Sequence, residues 1–312
     1  MKNLAEQFIQ NCLKTPDRPA VYLLFNRQPD QIITCEQLLR GANGFARALA
    51  EAGIKPGEVV ILILQHGEAL IYAFFGAILH GSIPSIMPFL TEKLSPEHYR
   101  RSLSALFKIT TPTAVITYPE FEADVRRAVD DALAEGSRPV QKILLHTEIS
   151  PMPYLKVENL TGINRPAQEI VLLQHSSGTT GLQKGVALSH LAVFNQLESY
   201  AKSIYFNSND VVVSWLPLYH DMGLIAGFLM PILLQAPLVL MSPFDWVRSP
   251  ARLLQAVSQY KGTLSWLPNF AYNFCAKKIR PRDLDGVNLS SWRAVINCSE
   301  PMALKSHQMF LQ

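Results

Sequence analysis

"EIVLLQHSSGTTGLQKGV", residues 169–186, joins an apolar run to a stretch of glycines, hydroxyl side chains and one lysine. The run from Ile170 to His175 does not alternate apolar with polar residues, as a strand facing solvent on one side would. It reads as a strand covered on both faces. A helical pattern resumes near Ser189, so strand, loop and helix follow one another. A loop in that position suits phosphate: free backbone N–H groups, a helix N-terminus and the carboxyl edge of a sheet would converge on the anion. Gly178, Gly181 and Gly185 let the backbone approach closely. Ser176, Ser177, Thr179 and Thr180 supply hydroxyls, and Lys184 supplies a point charge. It is not a Walker A loop, because Lys184 is followed by Gly185 and no glycine has the required spacing. A plain surface turn would share much of this composition, but four hydroxyls and a lysine after a buried strand favour phosphate.

The same apolar signature recurs along the chain. Strands are expected at Val59–Gln65, Ala114–Thr117, Lys142–Thr147, Glu169–Ser177, Val211–Pro217, Leu238–Met241, Thr263–Pro268 and Ala294–Glu300. Helices lie between them. Residues from Glu36 keep Leu38, Leu39, Ala42, Phe45, Ala46 and Leu49 on one face and stop at Gly53, while Ser95-Pro96 and Ser249-Pro250 each set an N-cap serine before a proline. Alternating strands and helices predict an α/β protein with mainly parallel sheets. The polar, proline-bearing stretch 150–168 is the linker candidate.

Composition excludes several classes. The 312 residues are 48% hydrophobic and 17% charged, with a net charge of +3, so the chain is globular and carries too little positive charge to argue for nucleic acid. Cys12, Cys35, Cys275 and Cys298 are scattered and suit free thiols in a reducing, cytoplasmic setting. The run 222–241 is long enough to span a bilayer. Pro231, Gln235 and Pro237 interrupt it, and no close Lys or Arg flanks it, so a buried helix (about 224–234) and a strand are expected instead of a membrane span. No G-x-S-x-G or H-E-x-x-H motif occurs.

Two further stretches carry chemistry. In "SWLPLYHDMGLI", residues 214–225, adjacent His220 and Asp221 point apart, which argues against a charge relay within the segment. His220 ends a buried strand and opens an apolar helix, a position that suits a site histidine and a structural one equally. In "LSWLPNFAYNFCAKKI", residues 264–279, Trp266, Phe270, Tyr272 and Phe274 fit an apolar pocket or plain core packing.

Together these stretches resemble the AMP-forming, adenylate-forming superfamily of acyl-CoA synthetases, luciferases and nonribosomal adenylation domains. Residues 176–186 are similar to its signature [ST]-S-G-[ST]-T-G-x-P-K-G-V, with Gln183 in place of proline. "HDMG" at 220–223, "PNFAY" at 268–272 and "NCSEP" at 297–301 resemble the fatty acyl-AMP ligase and fatty acyl-CoA ligase branch, although Cys298 and Ser299 stand where Gly and Ala are usual. The resemblance covers nearly the whole chain.

It implies two interleaved α/β subdomains, about 1–65 plus 208–312 and about 66–207, within one N-terminal adenylate-forming domain incomplete at its C-terminus. It also implies activation of a fatty acid by ATP to acyl-AMP, with transfer to coenzyme A or a carrier protein's phosphopantetheine. Ser176, Ser177, Gly178, Thr179, Thr180, Gly181 and Lys184 would grip the pyrophosphate portion, with Thr180 near Mg2+. His220 would border the reacting carboxylate. Asn297, Cys298, Ser299, Glu300 and Pro301 would edge the adenine and acyl pocket, and Trp215, Met222, Gly223, Trp266, Asn269 and Phe270 would wall the acyl tunnel. The superfamily's Y-G-x-T-E motif and catalytic lysine would lie beyond residue 312, so the chain is expected to be a fragment with little activity alone. Rivals are an acyl-CoA synthetase proper and a non-catalytic nucleotide-binding module that retains the loop.

Overall fold

The computed structural model describes residues 3–89, 95–153, 157, 160–176 and 184–311. Twelve strands are present among them: β1 Pro19–Leu24, β2 Gln31–Thr34, β3 Val59–Ile63, β4 Ile83–Ile86, β5 Ala114–Thr117, β6 Lys142–Leu145, β7 Ile170–Ser176, β8 Lys184–Ser189, β9 Val212–Ser214, β10 Leu238–Met241, β11 Leu264–Pro268 and β12 Ala294–Cys298. They form sheets in the orders β12-β11-β9-β10-β1-β2, β4-β3-β5-β6 and β7-β8. The α/β class and the mainly parallel pairing expected from the apolar runs are therefore present. Among the described residues only β1 with β2 and β7 with β8 pair antiparallel.

Two compact units interleave along the chain. One comprises Met1–Lys14 and Glu36–Phe194, the other Thr15–Cys35 and Asn195–Gln312. These bounds differ from those expected at 65/66 and 207/208. β3 pairs in parallel with β4 and β5, so residues 36–65 stay with the four-stranded sheet. Only β1 and β2 cross to the six-stranded one, where β1 pairs with β10.

In the first unit, β3 and β5 form the floor of a core built from Ile61, Ile63 and Val115 against Leu106, Phe107 and Val125. The N-terminal helix Leu4–Lys14 buries Phe8, which stacks on Phe75 at 4.2 Å. The helix from Cys35 ends at Glu51, and Gly53 turns the chain at φ 80°, as its position requires. Ser95 caps Pro96–Thr110 by accepting from His98 N. The stretch 150–168 is not a free linker. Arg40 Nε donates to Met152 O at 2.7 Å, and Asn3 Nδ2 donates to the carbonyls of Gly162, Ile163 and Arg165.

In the second unit, parallel β9, β10 and β11 are wholly buried, while β12 at the edge of the sheet is partly buried. The run 222–241 folds as helical turns over 221–233, a Gln-Ala-Pro turn and β10. A π-helical turn, Ile225–Leu229, interrupts the helix before Pro231. No helix among the described residues is long and apolar enough to cross a membrane. Ser249 does not cap the following helix; it ends Pro243–Arg248, whose own N-cap is Ser242 before Pro243. All four cysteines are buried free thiols.

Candidate active site

Parallel strands deliver their carboxyl ends to one edge, and the six-stranded sheet uses this to gather residues from three segments. Leu264 of β11 lies opposite Val212 of β9, and Pro268 opposite Cys298 of β12. The chain leaving β9 supplies Trp215 and His220, that leaving β11 supplies Asn269 and Phe270, and that leaving β12 supplies 299–301. Open α/β sheets bind their ligands at this edge.

Side chains tie the rim together. Phe270 N donates to Glu300 Oε2 at 3.2 Å, Ala303 N donates to Asn269 Oδ1 at 2.9 Å, and Asn297 Nδ2 donates to Glu300 O at 2.7 Å. Asn297 Oδ1 is buried without a hydrogen-bond partner among the described residues. Ser299 takes φ 65°, a left-handed conformation that costs a non-glycine residue about 1–2 kcal/mol. That conformation turns the chain sharply after β12 and leaves Ser299, Glu300 and Pro301 exposed. Cys298 is buried, and burial raises its thiol pKa.

His220 stands at the N-cap of the helical run in extended conformation. Its backbone N–H donates to Pro217 O, and its carbonyl accepts from Leu224 N. The ring reaches solvent and lies beside Tyr219 at 4.9 Å. Surrounding protein lowers its pKa by desolvation, and Asp221 opposes that shift, so the imidazole is neutral near pH 7. Asp221 Oδ1 accepts from Met222 N. Met222 is half-buried, and Gly223 is packed so closely that a Cβ would lie 2.2 Å from Pro217 O.

Below the rim is an aromatic cluster. Trp215 stacks on Trp246 with ring centroids 3.6 Å apart and planes 7° from parallel. Phe270 meets both edge-on, at 6.1 and 6.2 Å, and Phe274 lies 5.3 Å from Trp246. Trp215 and Trp246 are 4% and 0% exposed, whereas Phe270 is 46% exposed, so one ring of the cluster faces outward. Trp246 was not foreseen: "PFDWVR" has no site signature, and only the pairing of tryptophans through the fold reveals it. Trp266, expected with Trp215 and Phe270, has a different aromatic neighbour. Its indole Nε1 donates to Tyr200 OH at 2.5 Å, and its ring lies 6.2 Å from Tyr200.

In the other unit, β7 and β8 form an antiparallel pair with Ser176 opposite Lys184 and His175 opposite Gly185. The loop therefore links two strands rather than opening directly onto a helix N-terminus. The helix starts only at His190, after β8, with Ser189 Oγ accepting from Ala192 N. Ser177, Gly178, Thr179, Thr180 and Gly181 lie outside the described residues. His175, at the strand end, is buried against Gly185, and neither ring nitrogen has a partner among the described residues; burial lowers its pKa.

This fold and these residues have known counterparts. Over residues 8–312 the sequence matches the family described as AMP-binding enzyme, and the chain belongs to that family. It is similar to the long-chain-fatty-acid–AMP ligase FadD26 of Mycobacterium marinum, 28% identical over 90% of this chain and 47% of the relative. It is also similar to the medium-chain-fatty-acid–[acyl-carrier-protein] ligase TtuA of Teredinibacter turnerae, 31% identical over 58% of this chain and 28% of the relative. Among solved structures, a fatty acyl-adenylate ligase from L. pneumophila, in complex with acyl adenylate and pyrophosphate, superposes with a TM-score of 0.83. The two are 28% identical, over 99% of this chain and 52% of that one. The chain thus spans about half the length of FadD26 and of the L. pneumophila structure.

Proposed function

We propose that the chain is the fatty-acid- and nucleotide-binding part of a cytoplasmic fatty acyl-AMP ligase. The observation that carries this reading is the crevice at the carboxyl edge of β9, β11 and β12, where His220, Phe270 and residues 297–301 converge in a chain of the AMP-binding family. The name of the L. pneumophila complex supports acyl-adenylate chemistry, and that of TtuA supports a fatty acid as substrate and a carrier protein as acceptor.

In this reading a carboxylate oxygen of the fatty acid attacks the α-phosphorus of ATP. The bond from that phosphorus to the bridging oxygen breaks, and pyrophosphate leaves. The product is a mixed anhydride. A thiolate of carrier-protein phosphopantetheine, or of coenzyme A, then attacks the acyl carbon and expels AMP. Ser176, Ser177, Gly178, Thr179, Thr180, Gly181 and Lys184 would grip the departing pyrophosphate, and the Thr180 hydroxyl would help to hold Mg2+, which would neutralise part of its charge. Positioning and charge neutralisation are most of what such a transfer needs from a protein. Neutral His220 borders the carboxylate and orients it through one N–H without holding it in an ion pair, so the oxygen keeps its nucleophilicity. Trp215, Met222, Gly223, Trp246, Asn269 and Phe270 wall the acyl chain, Trp266 supports that wall from β11, and Asn297–Pro301 edge the adenine and the acyl chain. A dry wall protects the anhydride from hydrolysis.

The test is pyrophosphate release by the full-length protein that carries these residues, with ATP and a series of fatty acids, and with the acyl-adenylate identified by mass spectrometry. ATP-dependent release without a fatty acid, or no release with any of them, refutes the reading. Comparing coenzyme A with a holo carrier protein as acceptor then assigns the second step.

A further inference from the structure

A second surface of the β1-containing unit is built quite differently from the aromatic crevice. Two open clefts, of about 660 and 290 Å3, meet at Arg248 and Ser249, which line both. The first holds Arg27, from the turn between β1 and β2, beside the C-terminal end of helix Pro243–Arg248; Asn26 Nδ2 ties the turn to this helix by donating to Asp245 O at 2.9 Å. The second gathers Lys278, the last residue of helix Asn269–Lys278, with Arg280 and Arg282. Five cations therefore line the joined clefts against two carboxylates, Asp245 and Asp283. Asp283 is already engaged: its side chain accepts from Arg280 N at 3.0 Å and lies 3.8 Å from Arg282 Nε. Arg27, Arg248, Lys278 and Arg280 have no ion-pair partner among the described residues, and all four are exposed.

The excess of three positive charges here equals the net charge of the whole chain, so the remaining sequence is neutral on balance. Packing does not require this concentration of charge. These side chains repel one another, and three helix or turn ends place five of them together with only Asp245 and Asp283 to offset the charge. The clefts are open, unlike the enclosed apolar pockets that bury a small ligand. Val247, 46% exposed and adjacent to Arg248, adds an apolar contact at the basic rim. A positive rim around an exposed apolar residue suits a protein partner with complementary charge.

We propose that this basic double cleft is the docking surface for an acidic face of the acyl-accepting carrier protein. The partner's identity rests on the function proposed above. The surface brings the carrier to the enzyme through long-range attraction, and its role is separate from adenylation.

The experiment compares the full-length protein carrying these residues with its Arg248→Glu/Arg280→Glu variant, the milder Arg248→Gln/Arg280→Gln, and Lys202→Glu as a control on an exposed helix position elsewhere. Each is assayed for fatty-acid-dependent pyrophosphate release, for acyl transfer to a holo carrier protein, and for carrier binding by fluorescence anisotropy at 50 and 500 mM NaCl. Charge reversal is expected to raise the KM and Kd for the carrier by about tenfold at low salt, the lower end of electrostatic steering effects. The Gln pair should fall between, the gap should close at high salt, and pyrophosphate release and the control should be unchanged. An unaltered carrier KM and Kd overturn the docking proposal and leave the proposed function standing. An equal loss with coenzyme A as acceptor also overturns it, because the surface would then be a subsite for nucleotide phosphates. If wild type neither binds nor acylates any carrier protein, the docking proposal falls, and pyrophosphate release alone decides whether adenylation stands.

Discussion

Phe270 and Trp246 belong to one aromatic cluster but should respond differently to truncation, and the contrast tests whether the cluster faces a substrate. Trp246 is fully buried and touches Trp215, Phe270 and Phe274. Its replacement by alanine should cost about 3–5 kcal/mol, the range for a buried aromatic, and lower Tm sharply. Phe270 is 46% exposed, so roughly half of that burial energy is at stake, about 1.5–2.5 kcal/mol, including its two edge-on contacts. If the outward half of the ring lies against the acyl chain, Phe270→Ala opens space for several methylenes. Each methylene buried there is worth about 0.8 kcal/mol. Two extra carbons that find contact would then favour the longer acid by about 1.6 kcal/mol, an order of magnitude in kcat/KM. The assay is pyrophosphate release over saturated acids from C6 to C16, with Tm measured in parallel. A chain-length optimum two to four carbons longer in Phe270→Ala is the expected result. A Tm loss of the expected size with an unchanged chain-length profile would refute the placement of Phe270 in the acyl wall.

Lys184→Ala should weaken ATP-dependent adenylation by about 1–3 kcal/mol, the scale of a lost charged contact, read from the dependence of pyrophosphate release on ATP concentration. Unchanged kinetics would remove the loop from phosphate binding. Gly223→Ala places a Cβ 2.2 Å from a backbone oxygen that cannot move aside cheaply, so urea denaturation should show a loss of at least about 1–3 kcal/mol. His190 Nδ1 accepts from Leu4 N at 3.0 Å, and burial, aided by the Arg165 charge, lowers its pKa to about 4. A depressed folded-state pKa means that the unfolded chain takes up the proton first. Stability is therefore complete above pH 6.5 and lost as pH falls toward 4, by an amount on the order of 3 kcal/mol. His190→Asn should flatten that limb of the Tm–pH curve, and a parallel curve would exclude His190 as its source.

The parts of the fold legible in the sequence are those where one physical signal dominates. Covered parallel strands are uniformly apolar, so β5 and β10 emerge at the bounds read from residues alone. β4 does not, because "IPSI" contains a proline, which the sheet accepts only because β4 lies at its edge. β8 was hidden for another reason: "KGVALS" is too short and mixed to signal a strand until β7 supplies its partner. At the site, His220, Phe270 and 297–301 were legible because strand ends mark the crevice. Trp246 was not, because its role comes from a stacking partner distant in sequence. The basic double cleft was only half legible: Lys278, Arg280 and Arg282 stand together in "KKIRPR", but Arg27 and Arg248 join them only through the fold.

β1 pairs with β10, placing Val21 opposite Leu238, a separation of 217 residues. A ribosome adding about 5–20 residues per second takes roughly 10–40 s to supply that partner. During this interval β1 and β2 can form only a two-stranded ribbon, too small to be stable alone. The edge of β1 that will bond β10 is left open, and it is apolar on both faces. The whole Glu36–Phe194 segment emerges in the meantime and can fold first, because its sheets use only strands from within that segment. Synthesis order thus makes the first unit an early-folding body and leaves the sheet that carries the aromatic crevice to close last. In the cell, the vulnerable species of this protein is a nascent chain with β1 waiting, and slowing translation between residues 35 and 238 should increase its aggregation more than slowing it after β10.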